Sequence, residues 1–146
     1  MKVFCAVLFF SVVVVTHAVM YKDCGSKSCK INAVDVDGCA ATAESCDFHR
    51  GTTVNMTLKF TAIEKVDKLK NSLQGNVGGT WIPFSSSDAC SSITPSCPVA
   101  ANAEASFQIS VAISKLYPQI SVPVRDELKD ESGAECACFL VQGKIV

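Results

Sequence analysis

The sequence predicts an all-β sandwich, and three observations lead to this fold class. Apolar and polar side chains alternate over several segments, as in residues 54–62, where every second residue is apolar. Clusters of Gly, Ser, Asn, Asp and Pro separate these segments at intervals typical of sandwiches. No window of the sequence has an apolar stripe with helical spacing. We therefore predict six to eight strands in two packed sheets.

The individual strands are assigned from this alternation. The segment from Leu69 to Val77 shows it more weakly, because Asn71 and Gly75 interrupt the apolar positions, which predicts a bulge or bend. Pro123 cannot donate a hydrogen bond to a neighbouring strand, so its segment is predicted to be an edge strand or locally bulged. The predicted strands lie around residues 31–36, 54–62, 69–77, 107–113, 120–128 and 138–145.

Residues 1–18 have the pattern of a secretion signal. Lys2 precedes an apolar run over residues 3–15, which ends at the small-x-small sequence Thr16-His17-Ala18. The run is shorter than the roughly 20 residues that a membrane-spanning helix needs, which disfavours the alternative of an N-terminal anchor. We predict a signal peptide over residues 1–18 and one domain over residues 19–146. The protein is expected to be secreted, to the extracellular space or to an endolysosomal lumen.

The cysteines predict a disulfide framework. One of the nine, Cys5, lies in the predicted signal peptide, and the even remainder in an exported chain is expected to be oxidised. Eight cysteines allow 105 connectivities, so the pairing stays open at this point. Two bridges from the first segment to the last strand are favoured over a zinc site built from the same four thiolates. The cysteines concerned are Cys24, Cys29, Cys39, Cys46, Cys90, Cys97, Cys136 and Cys138.

Composition and motifs argue against catalysis and nucleic-acid binding. The net charge of −1 and the lack of a basic cluster disfavour a nucleic-acid partner. After the signal peptide only His49 remains, so a catalytic triad or a His-rich metal site lacks its imidazoles. The carboxylates from Asp126 to Glu131 have no nucleophile beside them and are predicted to lie in a solvated hairpin loop before Gly133. We expect no catalytic residue, no cofactor and no metal.

Two further stretches have local signals. Asn55-Met56-Thr57 is a sequon for N-linked glycosylation, and Asn55 lies on the polar side of its predicted strand, where a glycan can point into solvent. The stretch from Trp81 to Pro98 joins an apolar segment to a Ser-rich turn and a small loop bracketed by two cysteines. We predict that it forms the rim of a lipid-sized cavity.

Several motifs along the chain resemble those of one known family. They are Lys22-Asp23-Cys24-Gly25, the loop from Cys39 to Cys46, Asn55-Met56-Thr57, Pro83-Phe84, Cys97-Pro98, Tyr117-Pro118 and Cys138-Phe139. In this order they are similar to the ML (MD-2-related lipid-recognition) domain, and within it to the Niemann-Pick type C2-like proteins and mite group 2 allergens. The resemblance covers residues 19–146 and implies an immunoglobulin-like sandwich of two antiparallel sheets with an internal apolar cavity.

The resemblance also implies a disulfide pattern. It pairs Cys24 with Cys138, Cys39 with Cys46 and Cys90 with Cys97. Cys29 and Cys136 are additional to the six cysteines usual in the family, and we predict that they pair with each other. Because Cys24 and Cys29 have opposite strand parity, the two long-range bridges require a bulge or turn near Gly25-Ser26.

For the site, the resemblance implies gating positions at Phe84, Ile113 and Tyr117 and a wall position at Val111. An apolar ligand needs a concave and mostly hydrophobic cavity. Further residues are predicted to line or back this cavity, with ordinary core packing as the alternative for each: Val54, Met56, Leu58, Phe60, Leu73, Val77, Phe107, Ile109, Val122 and Val124.

Asp126 departs from the family, which commonly has an inward tryptophan at this position. An ionised carboxylate is costly inside a dry cavity. The sequence leaves two possibilities open, either a strand end that opens into solvent or a ligand with a polar group at this point.

The predicted function is that of a secreted, monomeric, non-enzymatic lipid carrier. Its ligand is expected to be a sterol, a fatty acid or another small lipid, handed over to a membrane or a membrane receptor. The alternatives are a lipid-recognition module that presents its ligand to a receptor in innate immunity, and a structural or allergen-like secreted sandwich with a filled core.

Overall fold

The protein folds as a sandwich of two β-sheets, as the alternation predicts. The computed structural model describes residues 18–146, so the predicted signal peptide lies outside the described residues apart from Ala18. In this part of the chain, no helix is long and apolar enough to span a membrane. The strands are β1 (Lys22–Asp23), β2 (Cys29–Val36), β3 (Cys46–Phe48), β4 (Thr53–Ala62), β5 (Lys70–Val77), β6 (Thr80–Asp88), β7 (Ile93–Thr94), β8 (Glu104–Ala112), β9 (Ser121–Lys129) and β10 (Glu135–Ile145), with a 3-10 turn at Cys90–Ser92.

The strands divide between a six-stranded sheet A and a four-stranded sheet B. Sheet A has the order β1-β10-β9-β5-β6, and β3 also pairs with β10; sheet B has the order β2-β4-β8-β7. The pairs are antiparallel except for β3 and β10, which run parallel. The strands outnumber the six to eight predicted because β1, β3 and β7 have only two or three residues. Segments of two or three residues cannot show an alternation of apolar and polar positions.

The Ser-rich part of residues 80–88 is a strand, so the predicted turn there is wrong. β6 pairs antiparallel with β5 along its length. It is the outer strand of sheet A and is mostly exposed, so its sequence shows no apolar alternation. The turn that joins it to β5 consists of Gly78 and Gly79, which both have positive φ, as a two-residue hairpin often requires. The register of β5 with β6 shifts between Leu73 and Gln74, but the extra residue there is Phe84, so the bulge lies in β6 and not in β5 as predicted.

Pro123 lies in an interior strand, so the prediction of an edge strand is wrong. β9 has β10 on one side and β5 on the other. Its pairing with β5 ends at Val124, one residue away from Pro123, while its pairing with β10 continues to Ser121. The proline, which has no N–H to donate, therefore occupies a position where β9 has a single neighbouring strand.

The four disulfides join the pairs that we expected. The sulfurs of the two long-range bridges are therefore not available as thiolates for zinc. The turn required between Cys24 and Cys29 is present as well. The Oδ1 atom of Asp23 accepts hydrogen bonds from the backbone N–H groups of Gly25 and Ser26, both at 2.9 Å, and Gly25 has a φ of +125°. This turn redirects the chain from sheet A towards sheet B.

The Cys29–Cys136 bridge holds the two sheets close together at one end of the sandwich. Cys29 begins β2 of sheet B, and Cys136 lies near the start of β10 in sheet A. Their Cα atoms are 4.7 Å apart, whereas packed sheets are typically about 10 Å apart. We call this the closed end of the sandwich. At the closed end, the buried residues Ala62 and Ala137 leave room for the close approach of the backbones.

Two of the four carboxylates predicted to lie in a solvated loop are instead buried in a strand. β9 extends to Lys129, so only Asp130 and Glu131 belong to the hairpin loop. The side chain of Asp126 faces the core and is 1% exposed. The prediction failed because a polar residue at an inward position interrupts the apolar pattern from which the strand was traced.

Asp126 is held by a polar neighbour from another strand of sheet A. The Nδ2 group of Asn71, which is also fully buried, donates a hydrogen bond to Asp126 Oδ1. Removal of the carboxyl from water raises the pKa of Asp126 to about 7, although the Asn71 hydrogen bond favours the charged form. The nearby carboxylates of Glu127 and Glu135 contribute to this rise. The strand end therefore does not open into solvent.

We expect the free energy of unfolding to fall as pH rises from about 4 to about 7. The unfolded chain loses the Asp126 proton near the ordinary value of 3.8, whereas the folded protein keeps it up to about 7. Between these values the folded state binds more protons, so raising the pH favours unfolding. Urea unfolding of the wild type and of Asp126→Asn across this range measures the effect. The variant should show a flatter dependence, and identical dependences would contradict a protonated Asp126 in the folded core.

Candidate functional site

A cavity lies between the sheets at the end of the sandwich opposite the Cys29–Cys136 bridge. Its volume is about 250 Å³, just below the roughly 300–1,000 Å³ of typical small-molecule pockets. Ile145 at the end of β10 contributes to it, whereas Cys136 near the start of β10 forms the bridge. The cavity is lined by Phe48, Met56, Leu73, Phe84, Ser85, Ser110, Val111, Ala112, Ile113, Tyr117, Val122, Val124 and Ile145.

The two sheets each supply one wall of this cavity. Val122 and Val124 of β9 and Leu73 of β5 project from sheet A, and Met56 of β4 and Val111 of β8 project from sheet B. These side chains share the inward faces because alternate residues of a strand point to the same side. The alternation of apolar and polar residues that made the strands recognisable in the sequence therefore also makes the cavity walls apolar.

Phe84, Ile113 and Tyr117 lie together at the mouth of the cavity. The ring centroids of Phe84 and Tyr117 are 6.0 Å apart and their planes are inclined by 36°, a separation usual for interacting aromatic pairs. Phe84 is 36% exposed, whereas Ile113 is buried. The backbone of Ile113 donates to the Thr52 carbonyl at 2.8 Å and accepts from the Gly51 N–H at 2.6 Å. Ile113 is thus fixed, and Phe84 is the less restrained side of the mouth.

The predicted site residues divide into those that reach the cavity and those that do not. The structure brings Phe84, Ile113, Tyr117, Val111, Met56, Leu73, Val122 and Val124 to its surface. Val54, Leu58, Phe60 and Phe107 are buried in the core instead, and Val77 and Ile109 are partly buried against it. Leu58 and Phe60 follow Met56 on the same face of β4, towards the closed end. The contribution of each lining residue to ligand binding stays a prediction.

Sequence reasoning missed several lining residues. Phe48 belongs to the short strand β3, and its place beside Ile145 depends on the parallel pairing of β3 with β10. No local pattern indicates that pairing. Ile145 could have been found, since it continues the alternation of inward residues along the last strand. The other lining residues not predicted are Ser85, Ser110 and Ala112.

Only a small part of the predicted rim from Trp81 to Pro98 touches the cavity. Phe84 and Ser85 line it, but the Trp81 ring stacks on the Arg125 guanidinium, with 4.2 Å between the guanidinium carbon and the ring centroid. The Cys90–Cys97 loop lies near the closed end, where Cys90 Sγ accepts a hydrogen bond from the Leu69 N–H at 3.3 Å. The prediction that the whole stretch forms the rim is therefore wrong for the Cys90–Cys97 loop.

The other polar candidates have ordinary structural partners. Asn55 lies on the outer face of sheet B, where its Nδ2 donates to Asp37 Oδ2 at 2.8 Å and its Oδ1 accepts from Ser110 Oγ at 2.6 Å. Its glycosylation stays a prediction. His49 is an exposed residue in the turn after β3.

One group of side chains has the proximity, but not the chemistry, of a metal site. Possible ligand atoms of Glu127, Glu135 and Cys138 lie within 4.8 Å of one another. The Cys138 sulfur is bonded to Cys24, and Lys129 Nζ lies 3.1 Å from Glu127 and 3.9 Å from Glu135. A disulfide sulfur and a competing ammonium group make a poor site for a cation. The group is an ion-pair network.

Two strand glycines make room for aromatic rings that line the cavity. A Cβ atom on Gly75 would lie 2.3 Å from Cε2 of Phe84, and one on Gly143 would lie 2.3 Å from Cε2 of Phe48. Both distances are far below a normal contact between carbon atoms, which is about 3.5–4.0 Å. A side chain at either position would therefore displace the ring.

We expect Gly143→Ala to destabilise the protein more than Gly75→Ala. Phe48 is buried and a methyl at position 143 would also lie 2.9 Å from the Val122 carbonyl oxygen, so overpacking should cost about 1–3 kcal/mol. Phe84 is half exposed and can turn towards solvent, so the loss of stability for Gly75→Ala should stay below about 1 kcal/mol. This turn would also separate the Phe84 ring from Tyr117. Urea unfolding and ring-to-ring NMR contacts measure the two effects. Equal losses of stability would mean that Phe84 is held as firmly as Phe48.

Comparison with known proteins agrees with this architecture. The family model of the ML domain matches residues 18–145. The NPC intracellular cholesterol transporter 2 homolog a of Drosophila melanogaster is 32% identical over 137 residues, covering 92% of this chain and 93% of the relative. Mite group 2 allergen Lep d 2 of Lepidoglyphus destructor is 29% identical over 95% of this chain and 96% of its own.

Solved structures share the fold. A Niemann-Pick type C2 protein from Japanese carpenter ant superposes with a TM-score of 0.78 at 22% identity, over 87% of this chain and 99% of that one. Chicken MD-1 complexed with lipid IVa superposes with a TM-score of 0.53 at 14% identity, over 85% and 96%. The family model spans almost all of the described residues. The chain belongs to the ML-domain family.

Proposed function

We propose that this protein is a non-enzymatic lipid carrier that holds a sterol, a fatty acid or another small lipid between its two sheets. The observation that carries the proposal is the apolar cavity between the sheets, open at a mouth formed by Phe84, Ile113 and Tyr117. Its relatives include a protein named as a cholesterol transporter and one solved in complex with lipid IVa. The lining offers few polar side chains, which suits an apolar ligand: Ser85 is one of them, whereas the Ser110 hydroxyl is bonded to Asn55 on the outer face of sheet B.

Burial of the ligand's hydrocarbon supplies the driving force without any reaction. Each square ångström of apolar surface removed from water contributes roughly 25 cal/mol. The cavity volume of about 250 Å³ is small for a lipid, so binding requires the side chains at the mouth to move apart. Phe84 can do so because it is half exposed and lies on the outer strand β6. In this mechanism Phe84 covers the opening and Ile113 forms its fixed side.

Hand-over of the lipid at a membrane surface is part of the proposal. Leu116, next to Tyr117 at the mouth, is 93% exposed. Ile82 and Phe84 on the outer strand of sheet A are also exposed apolar side chains. Together they allow the mouth to contact the apolar part of a bilayer while the ligand leaves. Export to the extracellular space or an endolysosomal lumen is supported by the predicted signal peptide and the four disulfides. The monomeric state stays a prediction.

Phe84→Ala is expected to weaken lipid binding more than it weakens folding. The ring covers the ligand, so its loss should raise the Kd for a fluorescent sterol or fatty acid by roughly tenfold, whereas the stability loss should stay below about 2 kcal/mol because the ring is half exposed. Phe60→Ala is the matched control, since Phe60 is fully buried away from the cavity. It should cost about 3–5 kcal/mol of stability. The proposal would be contradicted if the delipidated wild type took up neither lipid.

Leu116→Ser is expected to slow the transfer of bound lipid to phosphatidylcholine vesicles by severalfold and to leave the Kd for the lipid unchanged. The substitution removes the exposed apolar contact at the mouth but no lining residue. Ile63→Ser is the matched control, because Ile63 is also exposed but follows β4 at the closed end. Stopped-flow transfer measurements compare the variants. Equal transfer rates for Leu116→Ser and the wild type would contradict membrane contact through the mouth.

A further inference from the structure

Asp126 lies at the inner limit of the cavity, in the same row of sheet A as Leu73, and Asn71 lies one row further towards the closed end. Asp126 is the cross-strand partner of Leu73, which lines the cavity, and it follows Val124, another lining residue, on the same face of β9. Directly opposed residues in a sheet have Cβ atoms about 4.5–5.5 Å apart. The carboxyl group is therefore adjacent to the cavity wall without being part of it.

The Asp126–Asn71 pair leaves two buried oxygens without partners. One hydrogen bond, from Asn71 Nδ2 to Asp126 Oδ1, joins the two side chains. Among the described residues, no group bonds to Asp126 Oδ2 or to Asn71 Oδ1. Buried polar atoms in native proteins nearly always have partners, and those without one call for an explanation such as a ligand.

A hydroxyl group fits these two oxygens better than other lipid end groups do. A hydroxyl has one O–H donor and two acceptor lone pairs, so it can donate to a free oxygen and accept from a protonated carboxyl. A hydrocarbon end makes neither bond. A carboxylate end offers only acceptors, so it cannot bond to the Asn71 oxygen and depends on the Asp126 proton for any hydrogen bond to the pair.

A lipid that fills the cavity would extend towards the Asp126–Asn71 pair. The cavity of about 250 Å³ is too small for a long chain, and its inner limit is formed by flexible apolar side chains, Met56 and Leu73. Displacement of these side chains would bring the leading end of the ligand to Asp126, beside Leu73, and to Asn71, one row further in. There the Asp126–Asn71 pair supplies hydrogen-bonding groups in an otherwise apolar interior.

We propose that Asp126 and Asn71 form a polar subsite at the inner end of the cavity, which selects lipids that carry a hydroxyl group on the end that enters first. The inference rests on the proposed function of lipid binding. It adds a specificity that an apolar cavity alone does not have, because a hydroxyl buried without a partner disfavours binding.

The test uses two probes that differ only in the leading end, hexadecanoic acid and 16-hydroxyhexadecanoic acid. Both keep a carboxylate for the aqueous mouth, so the chain end enters first. Displacement of a bound fluorescent fatty acid gives the two Kd values. We expect the wild type to bind the hydroxylated probe roughly 3- to 10-fold more tightly, as one satisfied hydrogen bond implies. Equal binding, or weaker binding of the hydroxylated probe, would overturn the inference.

Two variants separate the subsite from other causes of a preference. Asp126→Leu and Asn71→Ala each remove one of the two polar partners, so each should reduce the preference for the hydroxylated probe, and the double variant should bind hexadecanoic acid more tightly than its hydroxylated analogue. Retained uptake of hexadecanoic acid shows that each variant is folded. Persistence of the hydroxyl preference in the variants would overturn the inference.

A crystal structure of the wild type with 16-hydroxyhexadecanoic acid provides a measurement that does not depend on the folding of a variant. The hydroxyl oxygen should lie within hydrogen-bond distance, about 2.5–3.2 Å, of Asp126 or Asn71. A hydroxyl found at the mouth would overturn the inference. If neither probe nor a sterol binds to the wild type, the proposed function itself has failed, whereas equal binding of both probes rejects the subsite alone.

Discussion

The covalent link between the sheets at Cys29–Cys136 is the constraint on which the shape of the interior depends. Protein interiors normally pack to the density of organic crystals, so two apolar sheet faces tend to close on each other along their whole length. Here they are pinned at one end, with Cα atoms 4.7 Å apart and with small residues beside the bridge. At the other end, the rings of Phe48, Phe84 and Tyr117 line a space between the faces. The sandwich is therefore filled at its closed end and partly empty at its mouth.

The cavity is formed by strand faces more than by loops, which has consequences for its rigidity. Its walls inherit the regular spacing of paired strands, and its aromatic rings are seated over glycines that lie within those strands. Of the groups at the mouth, Ile113 is tied by backbone hydrogen bonds on both sides, whereas Phe84 projects from an outer strand that has a neighbour on one side only. The site thus combines a fixed wall with one side chain that can move when a ligand enters.

The Asp126–Asn71 pair is the point at which the core departs from what stability alone favours. Burying a carboxyl group next to the cavity raises its pKa to about 7 and leaves acceptor atoms without donors, and both effects disfavour the folded state. Sites that break the rules of local packing in this way are often sites of function. The pair also lies next to the cavity, because Leu73, the cross-strand partner of Asp126, lines the cavity wall.

The sequence by itself determined the sandwich, most of its strands and the family, because period-two alternation and cysteine order are local properties that can be followed along the chain. Through the resemblance it also predicted gating positions at Phe84, Ile113 and Tyr117, all three of which line the cavity. Only the tertiary structure decided which inward residues meet empty space and which meet the opposite sheet, since that depends on the distance between sheets. It likewise decided the burial of Asp126, whose partner Asn71 is distant in sequence, and the place of Phe48, which a long-range strand pairing brings to the cavity. These features depend on contacts between distant segments, which no local pattern in the sequence records.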